Sequence, residues 1–338
     1  MQEVVIIAPF SPSARCAAFT ALALAVLAAA GCGKSTTKVS APTGDAGGEH
    51  LLLFCTTRAS GTTSEYDVVL YDCDAFGYRS LAGLNSTFGQ SEPTITDDGG
   101  YVAFASPRPT GSGGSDIFLY SRATQELLPT PGLNTAANET FPRFTHDSVH
   151  LAFVRDSAGV KRIRLYEPYG DTLIALPGLA SPGSTDDDAP APDVHGDRIA
   201  FQSMRAGGPH VYVWNRIGGV STIGALVGDS TDVEPSISSD GRWLAFASNR
   251  SGGAGGFDVY LYDLLTSTMV GLPHLNTAGD ERHPAVSADG KVLFFQSRPD
   301  AAHNWSTWRY TLADSVRAQP ANLAVASGDD RQPYLRWR

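Results

Sequence analysis

The stretch 234–250, EPSISSDGRWLAFASNR, followed by DVYLYD at 258–263, decides how this chain folds. EPSISSDG alternates polar and apolar residues and ends in Asp240-Gly241. Asp-Gly is the preferred pair for a two-residue hairpin turn whose central residues both take positive φ. WLAFAS is a continuous apolar run, suited to a strand buried on both faces. SGGAGG then loops to DVYLYD, which has an aliphatic residue at every second position.

The phrase recurs along the whole chain. Pro precedes Phe by eleven residues five times: Pro93 to Phe104, Pro142 to Phe153, Pro190 to Phe201, Pro235 to Phe246 and Pro284 to Phe295. Phe54 has no such Pro before it, and Pro333 has no such Phe after it. The two halves complete a sixth copy. The third predicted strand carries an aromatic at one aligned place in all six: Tyr71, Tyr120, Tyr166, Trp214, Tyr262 and Tyr310. A fourth-strand phrase recurs as LAGLNS at 81–86, PGLNT at 131–135, LPGLAS at 176–181 and LPHLNT at 272–277, and is degraded at 223–228 and 321–326. No segment sustains a 3.6-residue period. Repeats of 45–49 residues built from short strands predict an all-β protein, a six-bladed β-propeller of four-stranded blades. The segment around Gln332–Trp337 is expected innermost beside the strand at 51–57, closing the ring and removing the open sheet edge.

S-x-D-G-x-x-x-A-F-x-S-x-R followed by D-I/V-Y-L-Y-D resembles the TolB-type propeller repeat, a cousin of the WD-type repeat, and SSDGRWLAFASNR fits it throughout. The resemblance covers 50–338 and rests on structural residues. It therefore speaks to fold more than to function.

The two ends of the chain read differently. Arg15 precedes an apolar run from Cys16 to Ala30 that ends in AAAGC at 28–32. This run is too short for a comfortable membrane span, so residues 1–31 read as a secretory signal. Gly31-Cys32 resembles a bacterial lipobox, which implies acylation of Cys32 and anchoring through lipid. Gly33 in place of Asp implies, by resemblance to enterobacterial lipoproteins, the outer membrane facing the periplasm. Residues 32–49 are rich in Gly, Ser, Thr and Ala and read as a flexible tether.

The net charge is −10, and the leader's Glu3 and Arg15 cancel. An acidic exported domain has no electrostatic reason to bind nucleic acid. Cys55 and Cys73 fall on consecutive strands. A hairpin symmetric about residue 62 sets Cys55 opposite Val69 and Cys73 opposite Leu51, with the sulfurs on the order of 13 Å apart, beyond disulfide reach.

Two rings of residues are candidates for function. Three before each repeat Pro stand Gln90, Glu139, Asp187, Asp232, Glu281 and Asp330, which symmetry places near the channel mouth. Such an acidic ring would take a channel cation or a basic partner. Alternatively it pairs with the Arg that follows each repeat Phe: Arg58, Arg108, Arg155, Arg205, Arg250 and Arg298. One before each Pro stand Glu92, Phe141, Ala189, Glu234, His283 and Gln332. These differ from blade to blade and are expected to share the rim, as variable residues on a rigid scaffold do. Asp186-Asp187-Asp188 lacks the alternating spacing of a calcium loop. No His-Glu-x-x-His, Gly-x-Ser-x-Gly, phosphate loop or dinucleotide fingerprint is present.

The expected function is a non-catalytic, monomeric propeller scaffold at the cell envelope, without a cofactor unless the channel holds a cation. It would bind an envelope protein or a peptidoglycan-associated partner on the channel-mouth face, as the TolB resemblance implies. The alternative is a polysaccharide-binding or oligogalacturonate-lyase-like propeller. That reading needs His283, with His210 or His303, to gather around a metal in the channel.

Overall fold

The computed structural model describes residues 50–57, 66–180, 186–226, 228–321, 323 and 329–336. Residues 1–49, which hold the expected signal, Cys32 and the tether, lie outside them, as does Arg58. The described residues form six four-stranded antiparallel sheets. Blade I orders Asp330–Arg336, Leu51–Thr56, Asp67–Asp72 and Gly77–Arg79 from first strand to fourth. Blade II runs Ser91–Ile95, Tyr101–Ser106, Asp116–Ser121, Glu126–Leu128. Blade III runs Asn138–Phe144, Leu151–Ser157, Val160–Glu167, Thr172–Ile174, and blade IV Asp187–Pro192, Arg198–Ser203, His210–Asn215, Gly219–Thr222. Blade V runs Asp232–Ile237, Trp243–Ser248, Asp258–Asp263, Thr268–Val270, and blade VI Asp280–Val286, Val292–Arg298, Ser306–Thr311, Val316–Ala318.

The first strands of all six blades touch their neighbours around a closed ring, with the C-terminal strand lying between blades VI and II. That strand pairs with Leu51–Thr56, Leu51 opposite Arg336 and Thr56 opposite Asp330. The chain thus closes its own ring, as the split repeat predicts. Among the described residues no helix is long and apolar enough to cross a membrane.

The core is six wedges, each shared by successive blades. One joins Leu53 and Leu70 of blade I to Phe104 and Tyr120 of blade II, and another returns from Phe294 of blade VI to Leu52 and Phe54 of blade I. The repeat phrases supply the ties. The Leu of the fourth-strand phrase is buried in every blade: Leu84, Leu133, Leu179, Leu226, Leu275 and Leu323. Most of the aligned aromatics reach back to the preceding blade, whereas Tyr166 Oη donates to Asp171 of its own blade. Tyr120 Oη donates to Ala82 O at 2.7 Å, Trp214 Nε1 to Pro177 O at 2.9 Å and Tyr310 Oη to Pro273 O at 3.1 Å. The Asn of the phrase binds both backbone groups of a third-strand residue. Asn276 Oδ1 accepts from Val259 N–H at 2.9 Å, and its Nδ2 donates to Val259 O at 3.0 Å. Asn276→Ala leaves both groups unmatched and is expected to cost about 2 kcal/mol of unfolding free energy, measured by urea denaturation.

Two local expectations are corrected. Gly241 and Gly290 are left-handed, at φ 68° and 73°, but Asp240 and Asp289 are not. Gly241 N–H donates to Ser238 O at 2.9 Å, so the turn is type I with glycine fourth rather than a two-residue turn. Asp240 caps that turn, accepting from the Ser238 hydroxyl at 2.6 Å and from Arg242 N–H at 3.0 Å. In the first hairpin Cys55 sits opposite Val68 rather than Val69, because the hairpin centre lies half a residue earlier. Both cysteines are free thiols, and Cys55 is buried.

Candidate functional site

The first strand of every blade carries a bulge at the same place. Glu92, Phe141, Ala189, Glu234, His283 and Gln332 have φ between 47° and 56°. Each lies in a register break, such as Val233 to Ser236 in blade V and Arg282 to Ala285 in blade VI. None is glycine, so six side chains are held in a conformation that ordinary residues avoid. The bulge turns a backbone N–H out of the ladder, and the Pro that follows brings no N–H of its own.

Side chains from the neighbouring blade meet these freed groups. Gln332 Oε1 accepts from Glu92 N–H at 2.8 Å, Glu92 Oε2 from Phe141 N–H at 2.6 Å and Glu234 Oε2 from His283 N–H at 2.7 Å. Where the bulge residue has no acceptor, a substitute serves: Ala189 N–H donates to Asp188 Oδ1 at 2.8 Å. Gln332 N–H instead donates to Gln296 Oε1 at 3.0 Å.

These residues were expected on an open rim. The structure sets them deeper, around a cavity of about 60 Å³ lined by Phe141, Ala189, Glu234, His283 and Gln332. Glu92 is buried, 8% exposed, in the same ring. Burial pushes its carboxyl up to about 7, against the Phe141 N–H and the charge of Arg143, which favour ionisation. Burial likewise holds the His283 imidazole below its ordinary range, with Glu234 acting the other way. Glu234 is ion-paired to Arg282 at 2.5 Å and lies 3.2 Å from His283 Nε2.

The second ring is no open acidic mouth. Glu139, Asp187, Asp232 and Glu281 are fully buried. Arg155 bonds Glu139 at 2.7 Å, Arg205 bonds Asp187 at 2.6 Å and Arg250 bonds Asp232 at 2.7 Å. Each of these arginines also stacks on its repeat Phe, at 5.5, 4.9 and 5.1 Å from the ring centroids of Phe153, Phe201 and Phe246. Blade VI departs from this pattern. Arg298 pairs with Asp280 at 3.0 Å, and Arg317 from the fourth strand reaches Glu281 at 3.3 Å and Phe295 at 5.4 Å. An Arg two or four residues after Phe shares its face of the strand, whereas Arg298, three after, turns away. In blade II, Gln90 replaces the acid, and Arg108 donates to Leu84 O while stacking on Phe104 at 5.0 Å. Asp330 is buried in blade I.

The Asp run does not converge on one point. Asp186 accepts from Lys161 N–H at 3.0 Å, Asp187 binds Arg205, and Asp188 holds Lys161 Nζ at 2.5 Å. The three candidate metal histidines do not meet either. His283 lines the channel, His210 is buried 3.4 Å from Asp232, and His303 pairs with Asp300 in an exposed loop. Among the described residues no group of three or more His, Cys, Asp or Glu is poised to hold a metal.

Arg143 and Tyr334, which sequence reading passed over, line the same cavity. Each directly follows a repeat Pro, the offset that alternation carries back into the channel.

No family model and no curated protein matches this chain by sequence. Solved structures do match. TolB from Acinetobacter baumannii superposes with a TM-score of 0.65 at 18% identity, covering 85% of this chain and 66% of its own. A putative TolB from Agrobacterium tumefaciens gives 0.59 at 15%, covering 86% and 99%. An oligogalacturonate lyase in complex with manganese gives 0.54 at 13%, covering 80% and 73%. At these identities the likeness is one of fold: this chain is a six-bladed β-propeller, similar in fold to the two TolB structures.

Proposed function

We propose that this protein is a non-catalytic docking scaffold that holds a protein partner across the mouth of its channel. Cys32 lipid would tether it in the bacterial envelope, on the outer membrane facing the periplasm, as a monomer. The partner would be an envelope protein or one associated with peptidoglycan. The observation that carries this reading is the ring of six non-glycine bulges. Strained backbone is kept at one place in every blade while the side chain changes from acid to aromatic to imidazole. A feature serving only the blade would repeat its side chain, as the buried acids nearly do. Likeness of fold to TolB agrees with a binding role and does not select the partner.

The test is affinity capture from an envelope extract by the full chain, beside Phe141→Ala and a Glu92→Ala, Glu234→Ala, His283→Ala triple variant. One protein retained by the wild type and lost by both variants is expected, with circular dichroism verifying that both remain folded. Equal retention by all three would move the docking face elsewhere.

A further inference from the structure

Residues after the repeat prolines differ around the channel: Arg143, Ala191, Ser236, Ala285 and Tyr334 line the cavity, with Thr94 at the equivalent place in blade II. Arg143 is the one cation in this set. Its Nη1 donates to Glu92 O at 3.1 Å and to Pro142 O at 2.8 Å, and its guanidinium carbon lies 5.5 Å from the Tyr334 ring centroid. These contacts, to two carbonyls and a ring, fix the fork without an ion pair. Among the described residues no carboxylate lies within ion-pair distance of Arg143, and its Nε and Nη2 have no acceptor. The acids nearby are otherwise engaged: Glu92 Oε2 holds Phe141 N–H, and Glu234 is paired with Arg282.

Glu92 acts on this guanidinium only beyond ion-pair distance. A partly buried guanidinium with no carboxylate in direct contact has its planar fork open to match one bidentately. The cavity of about 60 Å³ has room for roughly four water molecules, enough for a carboxylate and a short aliphatic stem but for little more. Phe141, Phe144 and Pro284 supply apolar wall for such a stem. We propose that Arg143 is a carboxylate seat inside the channel, taking the anion of a small organic acid or an acidic side chain of a docked segment. Only the second source rests on the docking reading above.

Both sources are tested on the full chain by isothermal titration at constant ionic strength, with sodium acetate in one arm and N-acetyl-Gly-Glu-amide in the other. Sodium chloride and the Gln analogue of the peptide are the respective controls. Saturable binding of acetate or of the Glu peptide is expected, weakened at least about tenfold in Arg143→Gln, the loss of roughly 1.4 kcal/mol. The same binding should persist in Arg216→Gln, which alters an exposed pair outside the channel. Arg143→Lys keeps the charge but loses the fork, and gives the same reading if the Gln variant fails to fold. Acetate binding with no captured partner keeps the seat and removes the docking reading; a captured partner with neither probe bound does the reverse. Binding unchanged in both Arg143 variants, or absent from the wild type in both arms, overturns the seat.

Discussion

Glu92→Gln is expected to stabilise the protein more as pH rises, by about 3 kcal/mol between the acid and alkaline ends of the Glu92 titration. The sign follows from burial. In the folded chain the carboxyl titrates at about 7, against an ordinary 4.5. Below 4.5 it is protonated in both folded and unfolded states. Between 4.5 and 7 the folded chain keeps a proton that the unfolded chain releases, so stability falls with rising pH and then levels off. Gln keeps an acceptor for Phe141 N–H and has no charge to bury. His283 works in the opposite direction: its depressed basicity costs stability as pH falls below 6.5. Subtracting the two urea-stability curves cancels the His283 contribution. Parallel curves would show that Glu92 is not buried in the ring as described.

Arg250→Met is expected to destabilise the fold by about 3 kcal/mol, because it strands the buried Asp232 carboxylate. The guanidinium also stacks on Phe246 and Tyr260, at 5.1 and 4.7 Å, so packing is lost with the charge. Adding Asp232→Leu should return much of the loss, since a buried pair replaced by apolar groups is often near neutral. A double-mutant cycle in urea measures both steps. If Asp232 instead served to bind a cation, Arg250→Met would leave stability little changed and calcium would raise the melting temperature of the variant.

Fold and site were unequally legible in the sequence. The eleven-residue Pro-to-Phe spacing and the aligned aromatics fixed six blades and the joined ends because each copy repeats a structural duty: Phe246 and its equivalents fill wedges, and Trp214 and Tyr310 tie blade to blade. Turn type was not legible because Asp240 caps its turn through a side chain, which a dipeptide preference does not register. The bulge was invisible for a related reason. Positive φ at Glu92 or Phe141 is imposed by the ring, and neither residue type announces it. The offset before Pro did single out these six residues, but not their depth. Arg317 replacing Arg298 in blade VI is a long-range substitution, since the two lie on different strands. Arg143 was not legible because repeat symmetry marks what recurs, and Arg143 differs from its equivalents in the other blades.

Docking of a partner at the channel is read out by site-specific photocrosslinking. A photoreactive residue replaces Phe141 in the bulge ring and, in a second protein, Ile217 on the fully exposed outer surface. One discrete crosslinked envelope protein is expected from position 141 and none from 217. A discrete product from 217 alone would contradict it.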